Sequence, residues 1–213
     1  MTVLEKVARL FSVRKQPDAI AVLSPTGSVR NEAKIVCELF EKGLQSYHLR
    51  KPRWNLDRVQ AWVKSIPKIY RSRIILHQFP ELVEKFGLGG FHIRSDEAVP
   101  DSIPAEKISV QCQHYADIEK CDKRFRCLML GPIFPKSDRD LTVPARTLQE
   151  YAAIVAYHRK QGGTTKIFAF GGVAENNVKQ CRKMGFDGIA VVGAVWDDGK
   201  EPVPAFKKLC RKW

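Results

Sequence analysis

The fold follows from residues 166–192, KIFAFGGVAENNVKQCRKMGFDGIAVV, in which one helical segment separates two short apolar runs. Lys166–Phe170 and Gly188–Val192 have the length and composition of buried strands, and Glu175–Met184 has the length and polar content of a surface helix. Gly185 follows that helix, where glycine readily adopts the left-handed conformation that ends many helices. A strand, a helix and a second strand in this order predict two parallel strands joined by a crossover helix.

The same alternation extends over most of the chain. Six further strands are predicted at Ile20–Leu23, Ser46–Leu49, Arg73–His77, Gly90–Ile93, Ile108–Cys112 and Cys127–Leu130. Helical segments are predicted between them at Glu32–Lys42, Leu56–Ile66, Pro80–Phe86, Ala116–Cys121 and Thr147–Lys160. Eight such units within about 190 residues predict a single α/β domain, a compact (β/α)8 TIM barrel.

Three parts of the chain depart from the regular pattern. Residues 95–105 are rich in proline and acidic side chains, so the fourth helix should be short or missing. An amphipathic helical extension is predicted over residues 1–18, before a barrel core over 19–196 and a C-terminal helix over 197–213. A doubly wound open sheet is the competing architecture, but no GxGxxG motif follows the first strand.

Composition indicates a globular protein and argues against a membrane protein or a secreted one. The 213 residues are 44% hydrophobic and 28% charged, which is ordinary for a globular domain. No apolar run approaches the roughly 18 residues of a membrane span or the core of a signal peptide, so we expect a cytoplasmic protein without a membrane partner. The net charge of +13 favours anionic ligands, yet basic residues are not interleaved with aromatic ones, so nucleic acid is not an expected partner.

Four histidines fall near the C-terminal ends of successive predicted strands. His48 lies in the second strand, His77 ends the third, His92 lies in the fourth and His114 follows the fifth. In a TIM barrel the reactive residues lie at these strand ends and in the loops after them. The spacing therefore predicts that the four imidazoles share one pocket.

Cations follow the strands at the same end of the predicted barrel. Arg50 and Lys51 come after the second strand, Arg94 after the fourth, and Lys136 and Arg139 after the sixth. Arginine binds phosphate oxygens in a bidentate manner and lysine acts as a point charge. These residues predict a phosphorylated ligand.

Small residues follow the last two strands. Gly171 and Gly172 come after the seventh strand, and Val192 and Gly193 end the eighth. Backbone N–H groups can approach an anion closely at such turns, and the loops after strands seven and eight often bind phosphate in this fold. A phosphate-binding site is therefore predicted here.

Five segments together resemble thiamine phosphate synthases and the related TenI thiazole tautomerases. They are His-Leu-Arg-Lys at 48–51, Gly-Phe-His-Ile at 90–93, Gly-Pro-Ile-Phe-Pro at 131–135, Phe-Gly-Gly-Val at 170–173 and Gly-Ile-Ala-Val-Val at 188–192. The resemblance covers residues 19–196 in the expected order. It implies a transferase of thiamine biosynthesis that joins hydroxymethylpyrimidine diphosphate to a thiazole phosphate, with Mg²⁺ holding the diphosphate that leaves.

The resemblance also implies roles for individual residues. Arg50 keeps the family's arginine, Lys51 stands one place before the family's lysine, and His114 stands where TenI enzymes place a proton-transferring histidine, so these three are the implied catalytic residues. The implied substrate-binding residues are His48, His77, Cys112, Lys136, Asp138, Arg139, Gly172, Val192 and Gly193.

The implied metal site is altered. Gln78 replaces one of the family's two metal-binding carboxylates with a neutral amide, whereas Glu97 keeps the charge of the second. Hard cations favour anionic oxygen ligands, so weak binding of Mg²⁺ is expected. A TenI-like enzyme would need no Mg²⁺.

Three functions remain open on these residues. The first is a thiamine phosphate synthase with a degenerate metal site. The second is a TenI-like thiazole tautomerase that uses His114 as its acid–base group. The third is a non-catalytic barrel that binds a thiazole phosphate, and the oligomeric state is open for all three.

Overall fold

Eight parallel strands close into a barrel in chain order, with β1 paired to β8. The computed structural model describes residues 19–135, 146–197 and 199–213. Its strands are β1 Ile20–Leu23, β2 Ser46–Leu49, β3 Ile74–Leu76, β4 Gly90–Arg94, β5 Ile108–Cys112, β6 Cys127–Leu130, β7 Lys166–Phe170 and β8 Gly188–Val191. The predicted (β/α)8 barrel is confirmed, and the open sheet is excluded.

Helices connect the strands on the outside of the barrel. In the described ranges they are α1 Glu32–Glu41, α2 Leu56–Ser65, α3 Lys68–Arg71, α4 Glu81–Phe86, α5 Tyr115–Cys121, α6 Leu148–Lys160, α7 Val178–Lys183, α8 Gly193–Trp196 and α9 Pro202–Lys212. Between β4 and β5 there is a single 3₁₀ turn, Ala105–Lys107, as expected for the irregular fourth unit. The predicted extension over residues 1–18 lies outside the described residues. No helix in the described part is both long and apolar enough to cross a membrane.

The local sequence explains where two of the long helices begin. The Asn55 side chain accepts a hydrogen bond from the Arg58 backbone N–H at 3.1 Å, which satisfies one free donor of α2. Thr147 and Glu150 form a reciprocal capping box at the start of α6. Asn31 precedes α1 with a φ of 58° and makes no side-chain cap. The start of α1 is instead held by Glu32, which is buried.

Alternation along the strands separates two layers of core. Residues that point outward, such as Tyr47 and Leu49 of β2, pack in a continuous apolar layer beneath the helices. A second, smaller apolar cluster fills one side of the barrel interior: Ala21, Leu23, Cys127, Met129, Phe168 and Ala190. These residues come from β1, β6, β7 and β8. The inner wall formed by β2, β4 and β5 instead carries buried polar side chains.

Candidate active site at the barrel mouth

Three of the four predicted histidines meet inside the barrel, and we call His48, His77 and His92 the histidine cluster. Leu76 pairs with Phe91, so the residues that follow them, His77 and His92, stand side by side on β3 and β4. Their ring centroids are 4.4 Å apart, and the His48 ring lies 5.4 Å from His77 and 5.5 Å from His92. One ring nitrogen from each lies within 4.8 Å of the other two.

Hydrogen bonds orient the rings of the histidine cluster. His48 Nδ1 lies 3.2 Å from His77 Nε2, so one of these two nitrogens donates to the other. His92 Nδ1 lies 2.8 Å from the hydroxyl oxygen of Ser109, a buried residue on the neighbouring β5. The Ser109 hydroxyl also lies 3.4 Å from the Phe91 carbonyl, to which it can donate while it accepts from His92.

Burial keeps the three imidazoles neutral. Desolvation lowers the pKa of His48 and of His77 well below the usual 6.5, and nearby positive groups add to the effect. The pKa of His92 is lowered to about 3, chiefly by burial and secondarily by the Arg50 guanidinium. A neutral imidazole has one nitrogen that donates and one that accepts, so the cluster offers lone pairs near pH 7.

His114 lies outside the histidine cluster, on the exposed rim. Arg146 donates to its Nδ1 at 2.8 Å and to the Gln113 carbonyl at 2.8 Å. The His114 backbone N–H donates to Asp117 at the start of α5. Because a guanidinium can only donate, Nδ1 must accept, and the ring proton then sits on Nε2. The expectation of one shared pocket therefore holds for three histidines and is corrected for His114.

Lys51 is buried in a second polar group, which we call the lysine cluster: Glu32, Tyr47 and Lys51. The Lys51 ammonium, only 1% exposed, donates to the carbonyls of Pro25 at 2.8 Å and Gly27 at 2.7 Å and to Glu32 at 2.6 Å. The second Glu32 oxygen accepts from the Tyr47 hydroxyl at 2.8 Å. All three ammonium protons are used, so this arrangement assigns Lys51 to support of the loop after β1 rather than to the catalytic role implied by the resemblance.

Arg50 remains exposed at the barrel mouth. Its backbone is fixed to the loop after β1, because its N–H donates to Ser24 Oγ at 2.8 Å and its carbonyl accepts from the same hydroxyl at 3.0 Å. Its guanidinium lies near enough to lower the pKa of both His77 and His92. Arg50 is thus placed to hold an anion next to the histidine cluster.

The two residues predicted to bind Mg²⁺ do not form an acidic site. Glu97 accepts from the Arg94 backbone N–H at 2.9 Å and lies 3.4 Å from the Arg94 guanidinium, which also binds Asp96. Gln78 is half-buried and carries no charge. Among the described residues, the group of potential metal ligands is the histidine cluster, which includes neither of them.

Cys112 does not line the barrel. Its thiol lies in the outer core, 3.9 Å from the Val110 carbonyl, and burial raises the pKa of that thiol above its usual value. This placement corrects the expectation that Cys112 contacts a substrate inside the barrel. Ser109 is an inward residue of β5, which the sequence argument missed although strand alternation puts it on the face opposite to Cys112.

The small residues predicted to bind phosphate lie on the loops after β7 and β8, which are adjacent strands. Gly172 has a φ of 65°, and a side chain there would collide with the Phe134 backbone, so glycine is required. Its carbonyl accepts from Asn177 at 2.9 Å. Gly193 begins α8, and its carbonyl accepts from Lys200 at 2.7 Å, while Val192 packs against the inner apolar cluster.

Lys136, Asp138 and Arg139, predicted to contact the substrate, lie outside the described residues.

A cavity of about 490 Å³ opens at the opposite, N-terminal end of the barrel. Its walls include Lys123, Arg126 and Lys166 at the starts of β6 and β7, and it reaches His48 and Ser109 from below. In TIM barrels the reactive residues lie at the other end, so the candidate active site is the mouth beside Arg50. The cavity makes the underside of the histidine cluster reachable from this end.

Comparison with known proteins points to one family. The family model for thiamine monophosphate synthase, TMP-TENI, matches residues 20–195, a span that includes all eight strands. The thiamine-phosphate synthase of Staphylococcus carnosus (strain TM300) is 24% identical over 180 residues, 78% of this chain and 82% of that protein.

Two solved structures share the fold. A thiamine phosphate pyrophosphorylase from Bacteroides thetaiotaomicron aligns with a TM-score of 0.77 at 24% identity, covering 91% of this chain and 96% of that one. One from Pyrococcus furiosus aligns with a TM-score of 0.68 at 18% identity, covering 92% and 96%.

Proposed function

Because the chain belongs to the thiamine monophosphate synthase (TMP-TENI) family, we propose that it makes thiamine phosphate from hydroxymethylpyrimidine diphosphate and a thiazole phosphate. Family membership makes it an enzyme of the transferase class. The observation that carries the proposal is the match over residues 20–195, which takes in Arg50 and the turns at Gly172 and Gly193.

The transfer would break one bond and form another. The carbon–oxygen bond between the pyrimidine methylene and diphosphate breaks, and the electron pair leaves with the diphosphate. The thiazole nitrogen then supplies its lone pair to the methylene carbon. The site must therefore stabilise negative charge on the diphosphate as that bond breaks. Arg50 is suited to stabilise this negative charge, because it is exposed at the mouth and its backbone is fixed by Ser24.

We propose that the heterocycles bind at the barrel mouth, where two unlike walls face each other. The histidine cluster lines one side of the barrel, and Leu23, Met129 and Phe168 line the other. We propose that the thiazole phosphate group binds at the Gly172 and Gly193 turns and the diphosphate near Arg50. The turns and Arg50 follow different strands, β7, β8 and β2, around the same end of the barrel.

We propose that Mg²⁺ assists only weakly. Gln78 contributes no charge, and the carboxylate of Glu97 already lies 3.4 Å from the Arg94 guanidinium. Glu97 and Gln78 would be the residues that hold such an ion, which would stabilise the negative charge that develops on the diphosphate. Cations of the protein, Arg50 above all, should supply part of the positive charge that an ion held by two carboxylates would otherwise provide.

The test is formation of thiamine phosphate from the two substrates by purified protein with Mg²⁺. We expect product from the wild type and a loss of about 100- to 1,000-fold in kcat for Arg50→Ala, because it removes a donor to the departing anion. Arg53→Ala is the matched control, an exposed arginine three positions later, and should retain activity. Absence of product from the wild type, with Mg²⁺ or other divalent ions, would overturn the proposal.

A second function, tautomerisation of a thiazole phosphate, is favoured by one observation. Arg146 fixes the His114 tautomer with the proton on Nε2, which suits proton donation at the rim. If this is the reaction, interconversion of thiazole tautomers should proceed without Mg²⁺ and be lost in His114→Ala. No thiamine phosphate should then form.

A further inference from the structure

In the proposed transfer the histidine cluster only lines the barrel, and its ring nitrogens take part in no step. His48 and His92 are 2% and 6% exposed, and no carboxylate belongs to the group of close potential ligands in the described residues. Imidazole is a borderline ligand that suits zinc, copper, iron and nickel, whereas Mg²⁺ prefers oxygen. The donor set therefore selects a different class of ion from the one expected at Gln78 and Glu97.

The spacing of the nitrogens fits a tetrahedral ion. Zinc–nitrogen bonds of about 2.0–2.1 Å at tetrahedral angles place two ligand nitrogens about 3.3 Å apart. His48 Nδ1 and His77 Nε2 are 3.2 Å apart. The third nitrogen lies within 4.8 Å of the other two, so ion binding requires the His92 ring to move closer to them.

Ser109 can hold the ring of His92 in the tautomer that a metal needs, because its hydroxyl can donate to the Phe91 carbonyl and accept from His92 Nδ1. With the proton on Nδ1, 2.8 Å from the Ser109 hydroxyl, the lone pair is on Nε2. Metal-binding histidines usually donate their second nitrogen to such an oxygen, which sets both ring orientation and basicity. The Ser109 hydroxyl therefore has two polar partners, His92 Nδ1 at 2.8 Å and the Phe91 carbonyl at 3.4 Å.

We propose that His48, His77 and His92 bind one divalent ion of the zinc type, with Ser109 as a positioning residue and the fourth ligand position open to the barrel mouth. Three neutral imidazoles leave the ion its full positive charge, so the open position takes water or an anionic oxygen, such as that of a phosphate. Arg50 lies near His77 and His92 and adds attraction for that anion.

Metal can reach the cluster without unfolding the barrel. His77 is half-buried at the end of β3, and the N-terminal cavity reaches His48 and Ser109. The site goes beyond the proposed transfer and does not rest on it. Metal binding is measured without either substrate, so failure of product formation and failure of metal binding are separate results.

The experiment is calorimetric titration of Zn²⁺ into tag-free, chelator-treated full-length protein, with Co²⁺ absorption spectra as a second readout. We expect one ion per chain and the visible bands of four-coordinate Co²⁺. Removing a ligand in His77→Ala or His48→Gln should weaken Zn²⁺ binding by at least about 100-fold. His114→Ala is the matched control and should bind as the wild type does.

Ser109 provides a graded test. Ser109→Ala should weaken binding about 10- to 100-fold and alter the Co²⁺ bands, because the His92 ring loses the partner that orients it. Ser109→Thr keeps the hydroxyl and should restore both the affinity and the bands. A purely structural role for Ser109 would leave the bands of bound Co²⁺ unchanged.

Two outcomes would overturn the proposal. One is the absence of stoichiometric Zn²⁺ binding by the wild type. The other is binding that persists in both His77→Ala and His48→Gln, which would place the ion elsewhere, for example at the exposed Cys210. If a variant misfolds, the test is the Tm of the wild type measured with and without Zn²⁺. An ion that binds the folded state must raise Tm.

Discussion

The lysine cluster and the histidine cluster are both buried polar groups that include residues of β2. They differ in whether their polar atoms already have all their partners within the protein. In the lysine cluster each ammonium proton of Lys51 has an acceptor, and both Glu32 oxygens are engaged. In the histidine cluster the rings are neutral, and three ring nitrogens lie within 4.8 Å of one another, where a metal ion could replace the hydrogen bond between His48 and His77. A closed network stabilises the fold, whereas an open one can bind a ligand. The predictions below test this distinction.

The largest expected effect is the loss of charge balance in the lysine cluster. Glu32→Gln leaves the Lys51 ammonium buried without its counter-ion, and such a change costs about 3–5 kcal/mol in free energy of unfolding. Urea unfolding measures this loss. Glu41→Gln changes an exposed glutamate in the same helix and should shift stability by less than about 0.5 kcal/mol. Equal stability of the two variants would show that the cluster is not a structural element.

A smaller loss is expected for Tyr47→Phe. The variant removes the hydroxyl that donates to Glu32 at 2.8 Å, and a buried acceptor left without its donor costs about 1–3 kcal/mol. Tyr157→Phe, at a side chain that is 50% exposed, is the control and should be nearly neutral. A loss for Tyr47→Phe as large as that of Glu32→Gln would mean that the aromatic packing had been disturbed as well.

Loss of one side chain from the histidine cluster should lower the free energy of unfolding less than loss of the charge of Glu32 from the lysine cluster. His77→Leu removes one neutral hydrogen bond and leaves a nitrogen of the buried His48 without that partner, so metal-free protein should lose about 1–2 kcal/mol. Urea unfolding in the presence of a chelator gives this value. A loss of 3 kcal/mol or more would assign the histidines to the fold rather than to a ligand.

The smallest effect on the fold is expected for Gln78→Asp, which adds a carboxylate at the predicted Mg²⁺ site. Thiamine phosphate formation should rise, and half-saturation should need about tenfold less Mg²⁺, because the ion gains an anionic ligand. Gln161→Asp, at an exposed position after α6, should change neither quantity. If Gln78→Asp leaves the Mg²⁺ dependence unchanged, the degenerate-site explanation fails.

The strands were predictable because their signal is local. Short apolar runs bounded by helices and turns placed β1, β2, β5, β6 and β7 at their observed bounds, and the proline-rich segment correctly marked the missing fourth helix. His48, His77 and His92 also came from local information. Once parallel strands close a barrel, residues at equivalent depths must meet.

The rest of the site depends on contacts that the sequence does not encode locally. Lys51 looked like a free cation because its partner Glu32 lies on another element. His114 stands two residues past the end of β5, where the turn into α5 rather than strand alternation sets its direction. Cys112 was assigned by resemblance, whereas strand alternation turns it away from the barrel interior and turns Ser109 toward it.

The most direct test of the open histidine cluster is a crystal soaked in Zn²⁺ and measured on both sides of the zinc absorption edge. The account predicts one strong anomalous peak inside the barrel, about 2.0–2.1 Å from a nitrogen of each of His48, His77 and His92. A second feature should mark a water or phosphate oxygen on the side of Arg50. A map without a peak among these three rings, or with zinc only at surface histidine and cysteine side chains, would contradict it.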